Sequence, residues 1–138
     1  MDNRTRAREL AIQALFQLDI QGSDLLSRLG EFFTENEPDS FTRKLANQWT
    51  KDAWEHLDQC DELISACAIK WKMDRLSFVD KSILRLSVYQ LKFCEDIPAK
   101  VVINEAIELA KKFSTEQSPR FVNGVLDAAM KKLKAEQQ

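Results

Sequence analysis

The scarcity of glycine and proline constrains the fold of this chain more than any other feature of its sequence. Only three glycines and three prolines occur among 138 residues. Turn-rich β folds need many more residues of these two types, because their turns depend on unusual or fixed φ angles. We therefore expect long, uninterrupted helices and an all-α fold. A chain of this length fits one domain and buries a core without disulfides or a metal.

Apolar residues recur at helical spacing along most of the chain, which predicts six or seven helices. The predicted helices cover residues 4–20, 24–33, 41–68, 78–94, 98–113 and 119–135. The stretch 41–68 is either one helix or two helices with a break near Asp58. Residues 34–40 and 114–119 are polar and contain proline, so we expect loops there. Residues 70–77 mix aromatic and charged side chains and are interpreted as a connector.

The charge of the chain is small in total but unevenly distributed. The net charge is −2, yet residues 30–62 hold nine acidic and three basic residues, a net of −6. The remainder holds 17 basic and 13 acidic residues, a net of +4. Such a distribution allows one side of a molecule to bind RNA although the protein as a whole is acidic.

The sequence lacks the motifs of common catalytic and metal-binding sites. It contains no glycine-rich phosphate-binding loop and no Gly-x-Ser-x-Gly motif. His56 is the only histidine and has no ordered pattern of cysteine or histidine partners, so we expect no zinc site. We interpret His56 as a helical surface residue, and we expect neither enzymatic activity nor a cofactor.

The expected location of the protein is the cytoplasm. No apolar run approaches the roughly 18 residues that a membrane span needs, and the N-terminus does not resemble a secretory signal. Cys60, Cys67 and Cys94 are odd in number and form no Cys-x-x-Cys pair. They are therefore interpreted as reduced and mostly buried thiols, and we expect no membrane partner.

Two departures from local rules near the N-terminus are candidate binding features. Arg4, Arg6 and Arg8 cluster at the start of the first helix, where the helix dipole favours acidic residues. They are either solvated or in contact with phosphates and bases. Phe16 lies nearly opposite the apolar stripe of the same helix. Either this helix is buried on two sides, or Phe16 is an exposed contact for a partner.

Gly124 is the third departure, because glycine within a helix costs about 1 kcal/mol relative to alanine. Either another helix packs closely over the missing side chain, or the segment has a function. In the functional interpretation, Arg120, Phe121 and Asn123 supply a charge, a stacking face and an amide for an unpaired base. The two interpretations are compatible.

Four segments carry a resemblance to a known family. They are residues 4–16, 80–91, 96–111 and 121–127, with the sequences RTRARELAIQALF, DKSILRLSVYQL, DIPAKVVINEAIELAK and FVNGVLD. These segments are similar to the successive signatures of the NusB family of bacterial antitermination factors, whereas residues 22–75 match only loosely. The resemblance implies an all-α fold of two three-helix bundles. We place these bundles at residues 1–75 and 76–138 of a single domain.

The same resemblance implies a function and its partners. NusB proteins bind the boxA element of nascent ribosomal RNA transcripts together with NusE, a small-subunit ribosomal protein that doubles as an elongation factor. Their complex joins other Nus factors on RNA polymerase and suppresses termination. The resemblance assigns RNA binding to Arg4, Arg6, Arg8, Gln117, Ser118, Arg120, Phe121 and Asn123. It assigns NusE binding to Phe16 and Asp80. Thr5 and Gln117 depart from the family, since some members have arginine at the first position and an acidic residue is common at the second.

Two alternatives to this function remain open. One is a helical protein–protein interaction module without RNA affinity. The other is a stand-alone RNA-binding domain related to the non-catalytic domain of a ribosomal RNA cytosine methyltransferase. The chain leaves no room for a methyl-donor fold, so we expect a free-standing factor. Members of the family occur as monomers and as dimers that occlude the RNA site, and a homodimer is therefore also an expectation.

Overall fold

The computed structural model describes residues 2–137, and the regular secondary structure in this range is helical. Its α-helices are α1 (Asn3–Gln21), α2 (Leu29–Asn36), α3 (Ser40–Glu55), α4 (Leu57–Cys67), α5 (Phe78–Phe93), α6 (Ala99–Phe113) and α7 (Ser118–Glu136). Short 3₁₀ helices cover Ser23–Arg28 and Met73–Arg75. The prediction of an all-α fold is confirmed.

The helix boundaries differ from the prediction at two places. Residues 23–28 form a 3₁₀ helix, so α2 begins only at Leu29 and continues to Asn36, inside the predicted loop. Gly22 ends α1 with a φ of 89°, a conformation that favours glycine, and donates its backbone N–H to the carbonyl of Leu18. The stretch 41–68 is two helices, and the chain breaks at His56, two residues before the predicted position.

The residues up to Glu55 form one compact unit. Within it α1 packs along α3, and α2 packs against both helices. The predicted apolar stripe of α1 is fully buried, and so is Ile12, which lies off that stripe and is 4% exposed. Phe16 is half-buried. Helix α1 is therefore buried on more than its predicted face.

The residues from His56 onward form the second unit, with α5 at its centre. Helices α4, α6 and α7 all pack against α5, as expected for a helix that is apolar nearly all round. The side chain of Arg85 on α5 donates two hydrogen bonds, of 2.8 and 2.9 Å, to the carboxylate of Asp61 on α4. The expected bundle of residues 1–75 includes α4, whereas in the structure α4 belongs to the second unit, where Asp61 pairs with Arg85.

Three further features bear on the function classes considered above. In the range 2–137 no helix has both the length and the apolar character needed to cross a membrane. The described residues also contain no cluster of three or more His, Cys, Asp or Glu suited to a metal ion. Cys60, Cys67 and Cys94 are free thiols; Cys60 is buried, whereas the other two are half-buried. Burial raises the pKa of the Cys60 thiol to about 12.

Candidate nucleic-acid interface

The three N-terminal arginines have different environments in the structure. Arg4 is exposed at the start of α1, where Asp2 caps the helix by accepting the backbone N–H of Arg4 at 2.7 Å. Arg8 is only 3% exposed, and its guanidinium lies over the ring of Trp49 at 5.2 Å from the centroid. A buried arginine in contact with an aromatic ring stabilises the fold of this unit. Arg4 therefore presents its charge to solvent, whereas Arg8 does not.

Arg6 connects α1 to the end of α2. Its guanidinium donates to the carboxylates of Glu9 and Glu37, each at 3.1 Å, and to the backbone carbonyl of Asn36 at 3.0 Å. The backbone N–H of Asp39 and the Arg6 guanidinium hold the pKa of Glu37 below its usual value of 4.5. With both carboxylates already paired to it, Arg6 has less charge to offer a phosphate than Arg4 has.

A groove of about 530 Å³ lies in the second unit, where the connector before α5 and the first turn of α5 face the start of α7. We call it the first groove. It is lined by Trp71, Arg75, Leu76, Ser77, Asp80, Thr115, Gln117, Ser118, Arg120 and Phe121. The structure thus brings five of the predicted site residues to one place. Asn123 does not line this groove and is exposed on α7.

Three residues that line the first groove form a hydrogen-bonded cluster with Ser114, and we call it the hydroxyl cluster: Asp80, Ser114, Thr115 and Ser118. The carboxylate of Asp80 accepts the Ser114 hydroxyl at 2.6 Å and the Ser118 hydroxyl at 3.0 Å. Ser118 Oγ also lies 2.8 Å from Ser114 Oγ and 2.9 Å from Thr115 Oγ1. Ser118 is 2% exposed, so it shapes the groove from within. The hydroxyl cluster joins the start of α5 to the start of α7.

The start of α5 is fixed by a local signal that the sequence shows. Ser77 is the N-cap, and its hydroxyl accepts the backbone N–H of Asp80 at 3.0 Å. The cap orients the first turn, so that the Asp80 side chain points to Ser114 and Ser118. Two exposed cations, Arg75 and Arg120, also line the groove. A groove with cationic edges and a half-buried ring, Phe121, is suited to a phosphate chain with an unpaired base.

Trp71 is a candidate that the sequence analysis missed. Its side chain is 53% exposed, and its ring meets the Phe121 ring edge to face, with the centroids 6.1 Å apart. The sequence did carry a signal, since Trp71 stands between Lys70 and Lys72, and an aromatic between cations is a common arrangement in proteins that bind single-stranded nucleic acid. The interpretation of residues 70–77 as a connector does not use this signal.

A second, smaller groove of about 290 Å³ shares Trp71, Arg120 and Phe121 with the first, and we call it the second groove. It is lined by Cys67, Ala68, Ile69, Lys70, Trp71, Arg120, Phe121, Gly124 and Val125. Gly124 is exposed, and no heavy atom of another element lies within 4 Å of the position that a Cβ would take. The interpretation of close helix packing over Gly124 is therefore wrong, and the functional interpretation stays a prediction.

Comparison with known proteins gives a consistent family assignment. The sequence profile of the NusB family matches residues 5–131. The chain is 42% identical to the transcription antitermination protein NusB of Symbiobacterium thermophilum, over 96% of this chain and 92% of that protein. Its fold is similar to that of T. maritima NusB, with a TM-score of 0.85, 42% identity, and coverage of 94% of this chain and 91% of the other. It is also similar to a NusB solved in complex with NusE and double-stranded RNA, with a TM-score of 0.85 and 29% identity over 96% of this chain and 98% of that one.

Proposed function

Because this chain belongs to the NusB family, we propose that it is a transcription antitermination factor. In this proposal it binds the boxA RNA of nascent ribosomal RNA transcripts together with NusE. The complex then joins other Nus factors on RNA polymerase in the cytoplasm and suppresses termination. The observation that carries the proposal is the first groove, which brings Arg120 and Phe121 together beside exposed Gln117. The relatives of this chain are antitermination proteins rather than enzymes.

The side chains divide into contact residues and supporting residues. Arg4 and Arg120 are exposed and would pair with phosphates, which gives affinity without sequence preference. The half-buried ring of Phe121 would stack with an unpaired base, and Gln117 and Asn123 would donate to base edges. Arg8 and Ser118 are buried and would act by holding the contact residues in place. Arg6 would both contact RNA and hold other residues in place, since its side chain is ion-paired and still 30% exposed.

Phe16 and Asp80 are the proposed contacts for NusE. Phe16 is half-buried, so part of its ring is open to a partner. The Asp80 carboxylate is occupied by Ser114 and Ser118, and a partner would meet it as one part of the hydroxyl cluster. Substitution of Asp80 would therefore disturb RNA binding and NusE binding together, whereas substitution of Phe16 would affect NusE alone.

Fluorescence anisotropy of labelled boxA RNA, with and without NusE, tests the proposal. We expect this chain to bind the RNA, and to bind it more tightly once NusE is present. Arg120→Glu and Arg4→Glu should each weaken binding and lower the slope of log affinity against log salt by about 1. Lys100→Glu and Lys44→Glu make the same change of charge at exposed positions outside both grooves, and they should have little effect.

Three outcomes separate the candidate functions. Absence of RNA affinity in both arrangements would contradict the proposal. Binding of NusE alone would instead favour the protein–protein interaction module. Equal losses for the groove variants and their controls would show a non-specific charge effect. Reversal of Arg8 is not informative, since a buried glutamate beside Trp49 would unfold the unit. Light scattering on the same samples gives the oligomeric state.

A further inference from the structure

The second groove has a composition that the proposed function leaves unexplained. Its lining contains two cations, Lys70 and Arg120, and no acidic residue. Lys132 lies close enough to Cys67 to oppose the rise in the pKa of this thiol that burial causes. The groove therefore has two cationic side chains in a lining that is otherwise mostly apolar. A polyanion with flat apolar groups matches this combination better than a neutral or cationic peptide does.

Trp71 and Ile69 are exposed to an extent that folding does not require. Ile69 is 88% exposed and Trp71 is 53% exposed, although they lie one and three residues after the buried Ala68. The edge-to-face contact with Phe121 fixes the orientation of the Trp71 ring. A ring that is held in place and open to solvent is a preformed platform for a base, because its entropy has already been lost on folding.

Gly124 contributes the empty space in the second groove. A side chain at this position would meet no other part of the protein, and a helix with alanine there would be more stable. The glycine therefore leaves room for something outside the chain. Gly124 is in the same helix as Arg120 and Phe121, less than two turns further on. The empty space therefore lies beside the proposed RNA contacts.

We propose that the second groove binds unpaired nucleotides of the same RNA strand that lies in the first groove, with Trp71 as a stacking platform. This inference rests on the proposed function. The two grooves share Trp71, Arg120 and Phe121, so a strand that leaves the first groove past Phe121 enters the second without a gap. Lys70 and Arg120 pair with its phosphates, and its backbone passes over Gly124. The strand is single here, because a base must be unpaired to stack on a side chain.

Affinity measurements with two pairs of variants test this inference. The RNA is boxA flanked on both sides by unpaired nucleotides, and the protein is the full chain with saturating NusE. Trp71→Ala should weaken binding at least about fivefold, the low end of the effect of removing one stacking aromatic. Trp71→Phe should retain most of the affinity because it keeps a ring.

Gly124→Gln should weaken binding and at the same time raise the melting temperature, since it fills the groove with a better helix former. Ala135→Gln adds the same side chain at an exposed position of α7 outside both grooves, and it should leave binding unchanged. Gain of stability with loss of affinity cannot come from misfolding. Wild-type affinity in both Trp71→Ala and Gly124→Gln would overturn the inference while leaving the proposed function intact. Absence of RNA binding by the wild type would contradict both this inference and the proposed function.

Thiol footprinting locates the RNA without any substitution. Cys67 lines the second groove, whereas Cys94 caps the other end of α5, about 20 Å along the helix axis from Asp80. Saturating RNA should slow the alkylation of Cys67 by iodoacetamide several-fold and leave Cys94 unchanged, as measured by mass spectrometry. Cys60 gives no background in the native protein, because it is buried and protonated. Equal rates for Cys67 with and without RNA, or protection of Cys67 by an acidic peptide and not by RNA, would contradict the inference.

Discussion

Arg4 and Arg8 are one helical turn apart and point to similar sides of α1, yet their environments are opposite. The first turn of α1 leaves Arg4 in solvent, whereas one turn later Arg8 lies against Trp49 of α3. The sequence groups these arginines because they are neighbours in the chain. It cannot show which of them meets a ring on another helix, since this depends on how α1 packs along α3. The proposed contact residues are therefore only partly predictable from their type.

Replacement of the two arginines by alanine separates structural from binding roles. Arg8→Ala removes a desolvated cation–π contact and buried packing, so we expect a loss of about 2 kcal/mol in the free energy of unfolding. Arg4→Ala should change stability by less than about 0.5 kcal/mol and weaken RNA binding. Urea denaturation followed by circular dichroism measures the first effect. Equal stability of the two variants would show that the contact of Arg8 with Trp49 contributes nothing.

At the scale of elements, periodicity predicted the helical segments but left 41–68 open between one helix and two, and it did not show how the helices are grouped. Helical spacing indicates which face of α4 is apolar, and it does not indicate which helices will cover that face. The decisive contact joins Asp61 to Arg85, 24 positions later in the chain. Periodicity predicts an α-helix over residues 24–33, whereas residues 23–28 form a 3₁₀ helix and α2 covers Leu29–Asn36. The 3₁₀ helix there depends on hydrogen bonding that composition does not reveal.

The attachment of α4 to α5 gives a prediction with a matched control. Asp61→Ala leaves the Arg85 guanidinium, whose side chain is 7% exposed, without its carboxylate partner. We expect a loss of about 2 kcal/mol in the free energy of unfolding, less than for a fully buried pair because Asp61 is 27% exposed. Glu62→Ala removes the same charge from the next, exposed residue and should cost less than about 0.5 kcal/mol. A similar loss in both variants would contradict the role of the ion pair.

At the scale of the whole molecule, the net charge of −2 conceals where the charges are used. Several acidic residues of the stretch 30–62 form hydrogen bonds or ion pairs with other residues of the protein. Glu37 binds Arg6, Asp39 accepts the side-chain and backbone donors of Thr42, and Asp61 binds Arg85. The cations at the two grooves remain on the surface. A low overall charge is therefore compatible with RNA binding, as the uneven distribution along the sequence indicated.

The internal use of acidic residues predicts how stability depends on pH. Hydrogen bonds from Thr42 lower the pKa of Asp39, and those from Asp39 N–H and Arg6 lower the pKa of Glu37. Both groups therefore stabilise the fold above their ordinary values of 3.8 and 4.5, and this stabilisation is lost as the pH falls through the lower folded values. The urea concentration at which half of the protein is unfolded should therefore decrease as the pH is lowered from about 5 to about 3. In the double variant Glu37→Gln/Asp39→Asn, this urea concentration should be lower than in the wild type at neutral pH. It should also decrease less over the same pH range. The same dependence of the urea midpoint on pH in the double variant and in the wild type would contradict the assignment of this effect to Glu37 and Asp39.

The hydroxyl cluster has fewer protons than contacts. Ser114, Thr115 and Ser118 bring one hydroxyl proton each, and the carboxylate of Asp80 brings none. Four short oxygen–oxygen contacts join these groups, so at most three are hydrogen bonds at any instant. Because Ser114 and Ser118 both donate to this carboxylate, Thr115 is the donor to Ser118 Oγ, and the 2.8 Å contact between Ser114 Oγ and Ser118 Oγ contains no proton. The Asp80 carboxylate thus sets a single direction for every hydrogen bond in the joint between the starts of α5 and α7.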